Sequence, residues 1–147
     1  MECRDGRCVT PLPDGERYEW EYYEDSAGNQ VAYDEITSVI LTGNPPLGVL
    51  EDRWAFYEEL LDAAECGELG AIAADYKTVM SWPEMREIAW KMDEHRVRIY
   101  HSEPPSLPRL LLLCLAHIKR VDGSQAEINR RQNQYMTRAH KRAQEVL

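Results

Sequence analysis

The chain reads as an α+β protein: an antiparallel sheet built mostly from its second half, two helices ahead of it and one behind. Three observations predict this. Residues 87–92 and 95–101 alternate apolar and polar side chains with period two, the pattern of half-buried strands. Leu110–Ala116 is apolar on both faces, as a central buried strand requires. The flanking segments repeat apolar residues three and four apart, the period of a helix with one buried face.

Taken in order, Met1–Glu16 is polar and carries Pro11, Pro13 and Gly15, which predicts a loose N-terminal extension. Residues 17–147 then form a single domain. Arg17–Tyr23 predicts a first strand, with Tyr18, Trp20 and Tyr22 on one face and Glu19 and Glu21 on the other. Residues 25–29 are turn formers. Val31–Leu41 predicts a short helix with Ile36, Val39 and Ile40 inward, stopped by Gly43-Asn44-Pro45-Pro46. Leu50–Glu65 predicts a longer one, with Trp54, Tyr57, Leu61 and Ala64 inward and Glu51, Glu58, Glu59 and Asp62 in solvent. Gly67 and Gly70 end it, Ala71–Tyr76 adds one helical turn, and Ser81-Trp82-Pro83 leads into the sheet. Ile88, Trp90 and Met92 share one strand face, as do Val97 and Ile99 in the next strand. After the last strand, Ser124-Gln125-Ala126-Glu127 is a capping box that starts a helix running to near Leu147. Its buried stripe is Ile128, Tyr135, Ala139, Ala143 and Val146; Arg131, Arg138 and Arg142 form a basic stripe.

Charge is unevenly distributed. The formal net charge is -9. Residues 1–80 hold 18 Asp/Glu against 5 Lys/Arg, whereas residues 81–147 hold 8 against 12 and all four histidines. The acidic total argues against nucleic acid, and the basic second part argues for it. Screening within about 8–10 Å makes the local face the more important quantity. The alternative is that acidic helices neutralise a basic sheet inside the fold. Cys3 and Cys8 lack a second Cys/His pair, so zinc is not expected, and Cys114 lies in the apolar strand as a buried thiol. This usage fits a reducing cytosol. No apolar run approaches the roughly 20 residues that span a membrane, and the N-terminus has no signal-peptide pattern.

If the three strands pair in order, one sheet face carries Lys91, Arg96, Arg98, Tyr100, His117 and Lys119. Cations beside an imidazole and a phenol are what phosphodiester chemistry needs. Cations stabilise charge on the phosphoryl oxygens, and a group titrating near neutrality moves the proton.

The layout and four local motifs resemble the RelE/ParE toxin superfamily, in particular its phage-associated HigB-like branch. Glu21-Tyr22-Tyr23-Glu24-Asp25-Ser26-Ala27-Gly28 resembles the family's first strand and acidic, Gly-containing turn. Glu87-Ile88-Ala89-Trp90-Lys91 resembles its Glu-Leu-Arg strand, and Arg96-Val97-Arg98-Ile99-Tyr100 the strand after it. Leu110–Arg120, ending His117-Ile118-Lys119-Arg120, followed by Glu127-Ile128, resembles its apolar strand, paired basic residues and following helix. The likeness covers roughly residues 17–140.

It implies a small RelE-like fold, an antiparallel, mixed-edge sheet of about four strands with two helices packed on it. It further implies a toxin that cuts messenger RNA in the ribosome without metal or other cofactor, in the cytoplasm, and is neutralised by a cognate antitoxin protein. In that chemistry the substrate's 2′-hydroxyl attacks the adjacent phosphate and leaves a 2′,3′-cyclic phosphate. Arg98 is then the phosphate clamp, its planar fork matching phosphate oxygens. Lys91 and Lys119 support it, and His117 is the first choice for acid–base work. Tyr100 and His101 follow; only one of them faces the groove if the strand is regular. Arg96, Arg120 and Arg131 hold RNA backbone. Ala89 departs from the family, which carries arginine there. It implies either a reduced or different activity, or a substitution disarming a lethal toxin. The rival readings are a non-catalytic binding protein on the same fold and a ParE-like gyrase inhibitor.

Overall fold

A computed structural model describes residues 15–66, 75–79, 82–104, 106–107 and 109–146. The expectations for residues 1–14, for Gly67 and Gly70, for 71–74 and for Ser81 lie outside them. The elements are β1 (Glu19–Tyr22), α1 (Val31–Ile40), α2 (Leu47–Glu65), β2 (Asp75–Val79), β3 (Trp82–Met92), β4 (His95–Ser102), β5 (Leu110–Ile118) and α3 (Gln125–Val146). The strands form one sheet in the order β1-β5-β4-β3-β2. All neighbours are antiparallel except β1, which runs parallel to β5 from Glu19↔Leu110 to Tyr22↔Leu113. A parallel pair needs a crossover, and the two helices between β1 and the later strands belong to it. The class is therefore α+β with a mixed sheet, as expected. One strand is new. Asp75–Val79 pairs with β3 instead of making a helical turn; Tyr76, Thr78 and Val79 favour extended backbone over helix.

α1 and α2 pack on one sheet face, α3 on the other. The first core joins Ile36, Ile40, Tyr57 and Leu60 to Ile88, Trp90, Val97, Ile99 and Leu113. The second joins Met85, Tyr100, Leu112, Cys114 and Leu115 to Ala139 and Ala143. β5 thus supplies side chains to both, which is why it reads as apolar throughout. Full burial of each leucine contributes about 1.5–3 kcal/mol. A register shift between Tyr100 and His101 takes β4 from Leu115 to Leu113, leaving Cys114 as the extra residue of a bulge. Burial pushes the Cys114 thiol up to about 12.

Two arginines tie the elements together. Arg53 is buried, though charged residues rarely are. It donates to the carbonyls of Ile40 (2.8 Å) and Thr42 (2.9 Å) and pairs with Asp93 at 2.8 Å. It thereby satisfies carbonyls at the end of α1 and anchors the β3–β4 turn, where Asp93 has φ 53. Arg142 departs from the expected outward basic stripe. It grips Glu35 through two bonds of 2.8 and 3.0 Å and donates to the Cys114 carbonyl at 2.9 Å. Val146, expected inward, is 45% exposed, in a groove that it lines with Trp20, Tyr22 and Leu112. The serine half of the capping box forms: Ser124 Oγ accepts from the Glu127 amide at 3.2 Å. Among the described residues no helix is long and apolar enough to cross a membrane.

Candidate functional site

The sheet face beneath α3 gathers the cationic residues in rows. Antiparallel pairing sets Ala89 opposite Arg98 and Arg98 opposite His117. The next row toward the sheet end holds Lys91 opposite Arg96, and the Lys119 amide donates to the Arg96 carbonyl at 2.7 Å. The row on the other side pairs Glu87 with Tyr100. Alternation in β3 and β4 dictates this placement, since the same strands send Ile88, Trp90, Val97 and Ile99 to the other core. Lys91 and Arg96 are exposed and Lys119 is half-buried. Like charges directly opposite each other repel, which leaves this end of the face favourable to an anion.

The inner rows are covered. Tyr135 of α3 lies on His117 with ring centroids 3.7 Å apart and planes 7° apart. Tyr100 lies beyond His117 at 5.7 Å and 17°, its hydroxyl 3.5 Å from His117 Nε2. Three rings therefore form a ladder from α3 to β4. Burial lowers the His117 pKa to about 4, with the Arg98 charge adding to the fall and a bond between Nδ1 and the Ile118 carbonyl (3.1 Å) opposing it. At neutral pH His117 is an uncharged imidazole. Burial raises the Tyr100 pKa, and the Glu87 carboxylate raises it further, so its hydroxyl stays protonated.

Arg98 is 14% exposed, with Nε 3.6 Å from Glu87 Oε1. Its Nη1 donates to the Val97 carbonyl at 3.0 Å. Buried Nε makes no hydrogen bond among the described residues, and the carboxylate it faces is that of Glu87. Gln132 of α3 donates to Glu87 Oε2 at 3.2 Å. Glu87, Gln132 and Tyr135 are the members that sequence reasoning did not assign to the site. Glu87 was legible as a face partner of Ala89 and Lys91. Gln132 and Tyr135 stand three apart on α3, on the side of Ala139 and Ala143.

Other assignments part company with the site. His101 is fully buried on the opposite face, its ring edge-on to Trp20 (5.1 Å, 74°) and 3.8 Å from Glu103. Burial lowers its pKa. Tyr100 is therefore the one of the two that shares the face with Arg98 and His117. Arg120 bonds Asp122 at 3.1 and 2.8 Å, and Arg131 donates to the Asp122 carbonyl at 2.5 Å. Both hold the β5–α3 turn together, so Arg131, 21% exposed, braces that turn where RNA contact was expected of it. A shallow groove of about 480 Å³ reaches His117 from the α1 side, but Asp34 and Glu35 line it and oppose a phosphate there.

Comparison with family models, with curated proteins and with solved structures gives no match.

Proposed function

We propose that the chain is a toxin of the RelE/ParE superfamily, HigB-like branch, that cuts messenger RNA in the ribosome and is held in check by a protein antitoxin in the cytoplasm. The observation that supports this reading is the direct cross-strand pairing of Arg98 with His117, next to the row Lys91, Arg96 and Lys119. In the proposed reaction a base takes the proton of a ribose 2′-hydroxyl, and that oxygen bonds to the adjacent phosphorus. The bond to the 5′-oxygen breaks, and an acid protonates the leaving oxygen. Arg98 stabilises the charge on the phosphoryl oxygens, Lys91 and Lys119 assist, and His117 moves the proton with Tyr100 beside it.

The covering helix sets a condition. Arg98, Tyr100 and His117 meet a phosphate only when α3 moves off the sheet. Removing Tyr135 from the imidazole also relieves the burial that depresses its pKa, returning it toward about 6.5, where acid–base work is effective. The closed arrangement is thus the resting form in this reading.

A second reading is a non-catalytic binding protein. What favours it is that Glu87, Gln132 and Tyr135 satisfy or cover the same groups from within the chain, and that Ala89 stands opposite Arg98. Primer extension on total RNA after induced expression of this chain and of Ala89→Arg separates the two. Cuts within translated codons, stronger in the arginine form, support the nuclease. Intact transcripts in both, in cells that make folded protein, support the binding protein. Growth arrest with intact RNA and damaged DNA would point to gyrase instead.

A further inference from the structure

The side of α3 turned away from the sheet presents Asn129, Arg130, Asn133, Gln134, Arg138 and Lys141, all exposed, along one shallow groove. Among the described residues no carboxylate interrupts it. The two glutamates of α3 lie at its ends: Glu127 beside Gly123, and Glu145 bonded to the Tyr23 hydroxyl. α2, on the other side of the sheet, has the opposite character, with six carboxylates and one arginine, and that arginine is the buried Arg53. Between these two helices charge is therefore segregated across the sheet. The outer surfaces of α2 and α3 lie more than about 20 Å apart, two helix diameters. That is well beyond the screening length of about 8 Å, so an anion at α3 feels little of the acidic helix.

We propose that this outer face of α3 binds structured RNA through its backbone. Arg130 and Lys141 are separated by roughly 16 Å along the helix, with Arg138 between them, a span that engages several phosphates. The amides of Asn133 and Gln134 both donate and accept, as the 2′-hydroxyl of RNA does, while Asn129, whose Oδ1 accepts from Gln125, keeps its NH2 to donate. This match selects RNA over DNA, whose backbone offers acceptors alone. The surface is independent of any cutting by the sheet, since a chain that cleaves nothing still binds through it.

The test measures binding of the full chain to a fluorescent RNA duplex of about 16 base pairs, and to the DNA duplex of the same sequence, across a salt series. The triple variant Arg130→Ala, Arg138→Ala, Lys141→Ala removes charge from exposed positions, and circular dichroism checks that it stays folded. We expect it to bind RNA at least tenfold more weakly, with a log–log salt slope shallower by about 3. The wild-type chain should prefer RNA to DNA, and Asn133→Ala with Gln134→Ala should narrow that preference. Unchanged RNA affinity in the triple variant, no RNA binding by the wild-type chain, or equal affinity for the DNA duplex would overturn the proposal. So would loss of binding confined to a Lys91→Ala, Arg96→Ala variant, which would put the contact on the sheet end alone.

Discussion

His117 lies flat against Tyr135, 3.7 Å between ring centroids, so one aromatic side chain of α3 controls the solvation of the imidazole most central to the candidate site. Replacing Tyr135 by alanine should admit water to His117 and raise its pKa from about 4 toward the ordinary value near 6.5. The change is read from the pH titration of the His117 ring protons by NMR. A titration that does not move would show that Tyr135 is not what buries the ring.

The same depressed pKa makes stability depend on pH. His117 takes up a proton near pH 6.5 in the unfolded chain, but only near pH 4 in the folded one. Between those values the unfolded state binds more protons, so its contribution is fully present above pH 6.5 and is lost as pH falls toward 4. The loss attributable to His117 is about 3 kcal/mol at most. Buried His101, also depressed, acts in the same direction. Urea unfolding from pH 7 to pH 4.5 should therefore show a falling midpoint, with a shallower fall in His117→Gln. Equal slopes in the two proteins would remove His117 from the account.

Much of the sheet was legible because its strands obey period two where one face is buried. Ile88, Trp90, Val97 and Ile99 fell on the helix-covered face, and the cations on the other, as alternation requires. What escaped was long-range. Arg53, 13 residues from Ile40 and 40 from Asp93, gives no local sign that it will be buried. The helical spacing of α3 puts Arg131, Arg138 and Arg142 in one basic stripe, yet Arg142 turns to Glu35, 107 residues away, and Arg131 to the Asp122 carbonyl. A basic stripe at helical spacing looks alike whether it meets solvent or a distant carboxylate. The site was legible as a row of residues on one face. That Gln132 and Tyr135 would roof it depends on how α3 docks, which no periodicity encodes.

Arg98 has two roles to separate, as an anion clamp and as the partner of buried Glu87. On the nuclease reading Arg98→Ala should abolish growth arrest, but it also removes the cation beside buried Glu87, whose carboxylate keeps its bond from Gln132, at a cost of up to about 3 kcal/mol. The double variant Glu87→Leu, Arg98→Met removes both charges and should recover most of that stability. It should remain non-toxic when expressed at the wild-type level. Toxicity restored together with stability would mean that Arg98 serves only the fold.

Where β1 stops at Tyr22, the rest of β5 loses its strand neighbour on that side, and side chains take the neighbour's place. Arg142 donates to the Cys114 carbonyl at 2.9 Å, and Glu35 accepts from the Ala116 amide at 3.3 Å, while the two hold each other at 2.8 Å. Backbone groups that β1 leaves open are thus satisfied by an ion pair, which also blocks another chain from adding a strand. Arg142→Ala should unmake both contacts. Glu35 and Arg142 are 26% and 14% exposed, so the loss should reach about 2–3 kcal/mol, larger than that of an exposed pair. The variant should also self-associate with rising concentration, seen by light scattering at a protein concentration where the wild-type chain does not. Glu35→Gln keeps an acceptor for the Ala116 amide and should lose less stability and associate less. An Arg142→Ala chain as stable as the wild type, with no self-association, would show that the pair neither stabilises nor guards the β5 edge.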